Sequence, residues 1–292
     1  MSELDPVVRL VSWAGHVASD IPVEVWVVSI VYLVVAAAVV AEVAWRVWRE
    51  PRAPQRRAVL VDAWSGAVMT AGALAVGVPY AAVLVVAWAA LAPLAPDALV
   101  ALWAQAPVLG FVAAFIAWDL AGFVYHAAGH HTRVGWASHQ VHHSAQGYDL
   151  TVGLRQTWFP VHGLAVQPFV ALAGFDLSTI VICAAVSNGY QLVLHAARPI
   201  RLGRVVEAVV MTPASHRHHH RRGSDGVNLG PVLTVWDRLA GTWRPPDATA
   251  DEIFGPPRPA PTNPVALELG GWLDLARDAR QRPGAPAEAR SR

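Results

Sequence analysis

The chain has 292 residues, of which 54% are hydrophobic and only 15% charged, against about 45–50% and 25% in an ordinary soluble protein. Its formal net charge of +1, with every basic residue an arginine, argues against a strongly basic nucleic-acid-binding domain, so no nucleic-acid partner is expected. The single cysteine, Cys183, excludes an internal disulfide and a thiolate zinc site, and reads as a small buried hydrophobe.

Residues 1–20 form an N-terminal segment carrying Glu3, Asp5 and Asp20, with no cleavable signal evident, since the following apolar stretch is too long for one. That stretch, Ile21 to Trp45, is long enough to cross a hydrocarbon core, which takes about 20 apolar residues. Arg46, Arg49, Arg52, Arg56 and Arg57 follow it, and a short arginine-rich loop beside a span predicts the cytoplasmic side. The next apolar run, Val59 to Pro93, contains Gly77 and Pro79 and fits one tilted helix or a helix plus a re-entrant piece. A third, Val108 to Tyr125, leads directly into histidines and returns the chain to the cytoplasm if one net crossing precedes it. After a polar stretch over 126–157, Phe159–Ala173 and Leu177–Leu194 predict a hairpin that dips into the membrane and comes back. Beyond His195 the chain reads as soluble: basic and histidine-rich over 198–222, Pro-rich over 245–264, helical from Val265 to Arg280, and disordered after Pro283. The predicted architecture is an all-α integral membrane protein with four or five transmembrane or re-entrant helices under a histidine-rich cytoplasmic helical cap. Residues 21–245 would form the membrane domain and 246–292 a linker, terminal helix and tail.

Nine of the thirteen histidines fall in a pattern. His126 and His130 are four apart; His139, His142 and His143 form HxxHH; His216, His219 and His220 form a second HxxHH; and His195 ends the last apolar segment. On a helix, positions i, i+3 and i+4 share a face, so each cluster is expected to aim two or three imidazoles in one direction. That many nitrogens exceed what one metal uses and suit two metals at four or five each; iron, copper and zinc all accept imidazole. His131 and His218 lie off those faces and read as solvated neighbours, while His16 and His162 have no partner in the pattern. The run from His216 to Arg222 also fits a basic patch for anionic headgroups. Asp119, seven residues before His126, could accept the spare ring N–H of a ligand histidine.

These residues resemble the fatty acid hydroxylase / sterol desaturase superfamily. The likeness runs through Asp119, His126 and His130, then Trp136, His139, Val141, His142, His143 and Ser144, then Thr151, Leu154 and Arg155. It continues at Tyr190 to His195, at Thr212, Pro213, His216, Arg217, His219 and His220, and at Asn228, Gly230, Trp236, Asp237, Arg238, Leu239, Gly241 and Thr242. It covers about residues 110–245. Ala127 stands where the family has an arginine, Asp149 where it has an asparagine, and Ser215 where it often has a further histidine; none removes an expected ligand. The resemblance implies a non-haem di-iron oxygenase that uses O₂ to hydroxylate or desaturate a lipid, with two iron ions held by His126, His130, His139, His142, His143, His195, His216, His219 and His220. Zinc is the alternative ion, and a metal carrier, sensor or zinc-loaded non-oxygenase the alternative function. With no dinucleotide fingerprint or haem-domain motif in the chain, the electrons would come from a separate donor protein. The site is expected on the cytoplasmic side of the plasma membrane, where a bilayer lipid can reach it.

Overall fold

The structure, a computed structural model, describes residues 22–50, 52–224, 226–246, 252–258 and 260–281. The expectations for residues 1–20, His16 and the tail after Pro283 lie outside these. Among the described residues the fold is all-helical, and extended pairing is limited to two isolated bridges, Val210 with Leu233 and Arg221 with Phe254. Four segments are long and apolar enough to cross a membrane: Val23–Arg49, Val59–Leu94, Pro107–His131 and Leu177–Leu194. They make this an integral membrane protein.

Helix α1, Val23–Arg49, has 27 residues and is about 40 Å long at 1.5 Å per residue, more than the hydrocarbon core of about 30 Å. It continues past the expected Trp45 because its end is tied down. Glu42 accepts hydrogen bonds from the backbone N–H groups of Leu150 (2.7 Å) and Ala197 (3.0 Å), and Arg46 pairs with Asp149. Helix α2, Ala53–Leu91, passes through Pro79 without a break, so of the two alternatives the structure shows a single helix. Its 39 residues also outrun the membrane. The surplus stands in the cap, where Asp62 pairs with Arg155 at 2.5 Å and Met69 packs with Val141 and Leu267.

A nine-residue helix, α3 (Asp97–Gln105), turns the chain on the far side, and α4, Pro107–His131, brings it back. The side chain of Thr132 then caps α5, Arg133–His139, by accepting from Gly135 N. A 3₁₀ turn at His142–Ser144 and the short α6, Leu150–Gly153, follow. The first arm of the expected hairpin is not α-helical. It comprises two 3₁₀ stretches, Val161–Ala165 and Gln167–Ala173, the second packed between α2 and α4. Non-α backbone at membrane depth is tolerated where protein surrounds it. Gly174 reverses the chain at φ +77°, and Asp176 caps α7, Leu177–Leu194, through Thr179 N.

Small side chains let these helices approach closely. A Cβ on Gly189 of α7 would lie 2.6 Å from Val31 Cγ1 of α1. Beyond His195 come α8 (Arg204–Glu207), α9 (Pro213–His220) and α10 (Val235–Ala240), and finally α11 (Pro264–Gln281), which packs on α5. Gly189→Leu is expected to wedge α1 away from α7 at a cost of about 1–3 kcal/mol, seen as a lower thermal midpoint in detergent. Gly77→Ala, where a Cβ meets nothing within 4 Å, should leave the midpoint unchanged or raise it.

Candidate metal centre

The nine patterned histidines converge on one volume where α4, α5, α7 and α9 end. They sort into two sets whose ligand atoms lie within 4.8 Å of one another: His126, His130, His139, His143 and His219 in one, and His142, His195, His216 and His220 in the other. The sets hold five and four residues, and the expectation that each cluster faces one way is corrected. His142 and His143 serve different sets, as do His219 and His220. Neighbouring helical positions point about 100° apart, and α5 stops at His139 before a 3₁₀ turn carries the next two rings. Each HxxHH box therefore contributes to both sets.

Three rings are oriented by backbone carbonyls. Nδ1 of His126 lies 2.8 Å from the Leu229 carbonyl oxygen, Nδ1 of His195 2.8 Å from that of Gln191, and Nδ1 of His219 2.7 Å from that of Val227. A carbonyl brings no proton, so each Nδ1 must donate one, which leaves the Nε2 lone pair facing inward. Nε2 of His195 then stands 3.1 Å from Nε2 of His142 and 3.2 Å from Nε2 of both His216 and His220. His216 and His220 are themselves 3.2 Å apart at Nε2, as are His143 and His219. In the five-histidine set, Nε2 of His126, both nitrogens of His130 and Nε2 of His139 are buried without a hydrogen-bond partner.

Buried polar atoms normally have partners, so this arrangement fits a cation supplied from outside the chain. The spacing fits as well: corners of a tetrahedron with an edge near 3.2 Å lie about 2.0 Å from its centre, the usual metal-to-imidazole distance. Burial, reinforced by neighbouring histidines, holds His139, His142, His143, His216, His219 and His220 well below the ordinary imidazole pKa, and burial brings His195 down to about 4. All seven are therefore neutral near pH 7, with lone pairs free of proton competition.

Asp119 does not do what the sequence suggested. Instead of meeting a histidine, its carboxylate accepts from Val232 N (3.0 Å), Leu233 N (3.1 Å) and the indole of Trp236 (2.8 Å). The reason is that the 229–236 loop covers this flank of α4 and offers His126 a carbonyl of its own. Asp237 fastens the start of that loop, accepting from Leu229 N and Gly230 N at 2.7 Å each. Asn228, at φ +53°, braces it by donating to Ser215 and Arg244 carbonyls. Asn228, Gly230 and Asp237 carried the family likeness, yet nothing in their spacing told that they hold a histidine's acceptor. His162 stacks on Tyr125 with centroids 4.2 Å apart and meets Ser138, outside both sets. His131, exposed, and His218 also stay outside them.

Two cavities reach the histidines. One, of about 370 Å³, opens among α1, α2, α4 and α7 and touches His126 and His139 of one set and His142, His195 and His216 of the other. The second, about 520 Å³, lies in the cap between α11 and residues 255–261 and reaches His143 and His220.

Residues 111–242 match the family model described as fatty acid hydroxylase. This stretch is therefore a fatty acid hydroxylase domain, and the superfamily resemblance drawn from the histidine boxes is borne out. Among curated proteins, an alkylglycerol monooxygenase from Danio rerio is 29% identical over 143 residues, covering 45% of this chain and 30% of its own length. The Homo sapiens alkylglycerol monooxygenase is 28% identical over 141 residues, covering 44% and 29%. An ornithine lipid hydroxylase from Rhizobium tropici is 28% identical over 160 residues, covering 53% and 44%. The chain thus spans less than half the length of these relatives. No solved structure matches the chain.

Asp237→Ala would release the loop carrying the Leu229 carbonyl. Losing such support for a ligand typically weakens metal affinity about 10–100-fold, which iron titration of the metal-free protein would show. A pH dependence follows too. Unfolded imidazoles take up protons near pH 6.5, whereas the folded set resists them to much lower pH, so the unfolded chain binds more protons and stability falls as pH drops through that value. The thermal midpoint of metal-free protein is expected to fall from pH 7 to pH 5.

Proposed function

We propose that the chain is a membrane-bound, O₂-dependent lipid hydroxylase whose nine histidines hold two iron ions, one in each set. The observation that carries this is the convergence of nine imidazoles beside a cavity bounded by membrane helices. The named relatives, two monooxygenases of alkylglycerol and a hydroxylase of ornithine lipid, favour hydroxylation over desaturation. When bound, iron would supply the activation of O₂ against an unactivated C–H bond.

The residues of the chain would do the positioning. Val35, Trp118, Leu154 and Leu192 line the membrane-side cavity, where an apolar lipid chain would lie against His126 and His216. Tyr80, which donates to Gln167 at 3.0 Å, gives the same cavity a polar point that carries no charge. Carbonyl-anchored His126, His195 and His219 would fix the ligand geometry, and the surrounding helices would keep bulk water out. The arginine-rich stretch from Arg46 to Arg57 favours a cytoplasmic site, reached by a separate electron-donor protein, with the plasma membrane as location.

Elemental analysis of detergent-purified protein tests this, using wild type and the His142→Ala/His219→Ala variant, which removes one ligand from each set. Two iron ions per wild-type chain are expected, with both lost in the variant. With reductant and ¹⁸O₂, wild type should add one labelled oxygen to an alkylglycerol or ornithine lipid. Stoichiometric zinc without oxygen insertion would overturn the proposal in favour of a non-oxygenase.

A further inference from the structure

The segments 200–209 and 232–240 read as soluble in the sequence, yet they form one apolar surface. Val205 is 85% exposed, Leu239 77% and Val209 56%, and Ile200, Leu202, Val206 and Val235 are also exposed. The two segments are joined by the Val210–Leu233 bridge, by Thr234 N donating to the Val209 carbonyl (2.9 Å), and by Arg238 Nε donating to that of Ala208 (3.0 Å). Their exposed charged side chains are arginines, Arg201, Arg204 and Arg238, with Arg244 just beyond; Arg201 also pairs with Glu207 at 2.9 Å. The carboxylates of Glu207 and Asp237 are buried.

The depth of this surface identifies what covers it. Val232, Leu233 and Trp236 bond to Asp119, which lies seven residues before His126 in a membrane helix and twelve before its end at His131. At 1.5 Å per residue the attachment is about 10 Å deeper than His126 and about 18 Å from the end of the helix. A strip anchored there lies alongside lipid rather than above it. Exposed valine and leucine with an arginine rim suit the boundary between acyl chains and headgroups, where arginine stems lie along apolar surface and guanidinium groups reach phosphates.

We propose that residues 200–209 and 232–240 form a ledge inserted into the bilayer interface, with Arg201, Arg204, Arg238 and Arg244 engaging anionic headgroups. The ledge holds the 229–236 loop at its depth and so supports the carbonyl that meets His126. Its existence does not depend on which metal is bound or on the reaction.

The test uses full-length protein in nanodiscs, with Leu239→Cys, Val205→Cys and Asp274→Cys labelled by an environment-sensitive fluorophore. Cys183 is fully buried, and Asp274 is exposed on α11, the reference in water. Nitroxide lipids carrying the quencher just below the headgroup should quench positions 205 and 239 roughly twofold or more over position 274. Quenching should be stronger in discs containing anionic phosphatidylglycerol than in phosphatidylcholine alone. Quenching at 205 and 239 no greater than at 274 would overturn the ledge. Cross-linking between copies through Leu239→Cys without lipid quenching would overturn it in favour of a second copy. Equal quenching in the two lipids would overturn the headgroup contact. Metal content measured on the same samples separates these outcomes from failure of the oxygenase proposal.

Discussion

Nine imidazoles gathered in one volume are the constraint on which the rest of the structure depends. The two sets that could hold metal consist entirely of histidine, so the lone pairs turned inward meet only other imidazoles within the sets. Leaving a buried polar group without a partner costs about 1–3 kcal/mol, and several such groups together are tolerable only where something is meant to satisfy them. The fold accordingly brings the ends of α4, α5, α7 and α9 to one place. Three of the rings spend their outer nitrogen on a backbone carbonyl, which turns the inner one toward the centre.

Membrane part and cap are held in register by charged groups placed at their boundary. Glu42 of α1 accepts from two backbone N–H groups that flank the histidine region, Leu150 and Ala197. Arg46 meets Asp149, Asp62 meets Arg155, and Arg155 also donates to Ser144 beside His143. Buried or half-buried pairs of this kind contribute little net stability, but removing one partner is costly. Their value is geometric, since they fix where the long helices α1 and α2 stop relative to the site. Asp119 does the same from within the membrane, gathering two backbone N–H groups and an indole onto α4.

The two cavities meet the centre from different sides, and only the cap cavity has arginine and aspartate in its lining. The one among the membrane helices is lined by apolar side chains and uncharged polar ones such as Tyr80, Gln167 and Asn188. The one in the cap is lined mostly by apolar residues such as Pro256, Ala260 and Leu267, with Arg222, Arg258, Arg277 and Asp274 among them and Trp136, whose indole lies 5.7 Å from the ring of His130 and 5.8 Å from that of His143.

The sequence by itself determined the class of fold and picked out the nine histidines that converge. Apolar runs of membrane length and histidines at i, i+3 and i+4 are local patterns, and local patterns are legible because helix geometry repeats every few residues. Only the tertiary structure decided how the histidines divide. Whether His142 and His143 face one way or two depends on where α5 gives way to a 3₁₀ turn, which changes ring directions by a large fraction of a circle. Only the tertiary structure gave Asp119 its partners, which lie 113 to 117 positions away in the chain. The acceptors of His126 and His219 are main-chain carbonyls, chemically the same at every residue, so no side-chain pattern could mark Leu229 or Val227. The arm at 161–173 forms 3₁₀ turns rather than an α-helix where Pro160 and Pro168 interrupt α-helical hydrogen bonding, a signal its own residues carry, whereas its place between α2 and α4 is set only by the tertiary structure.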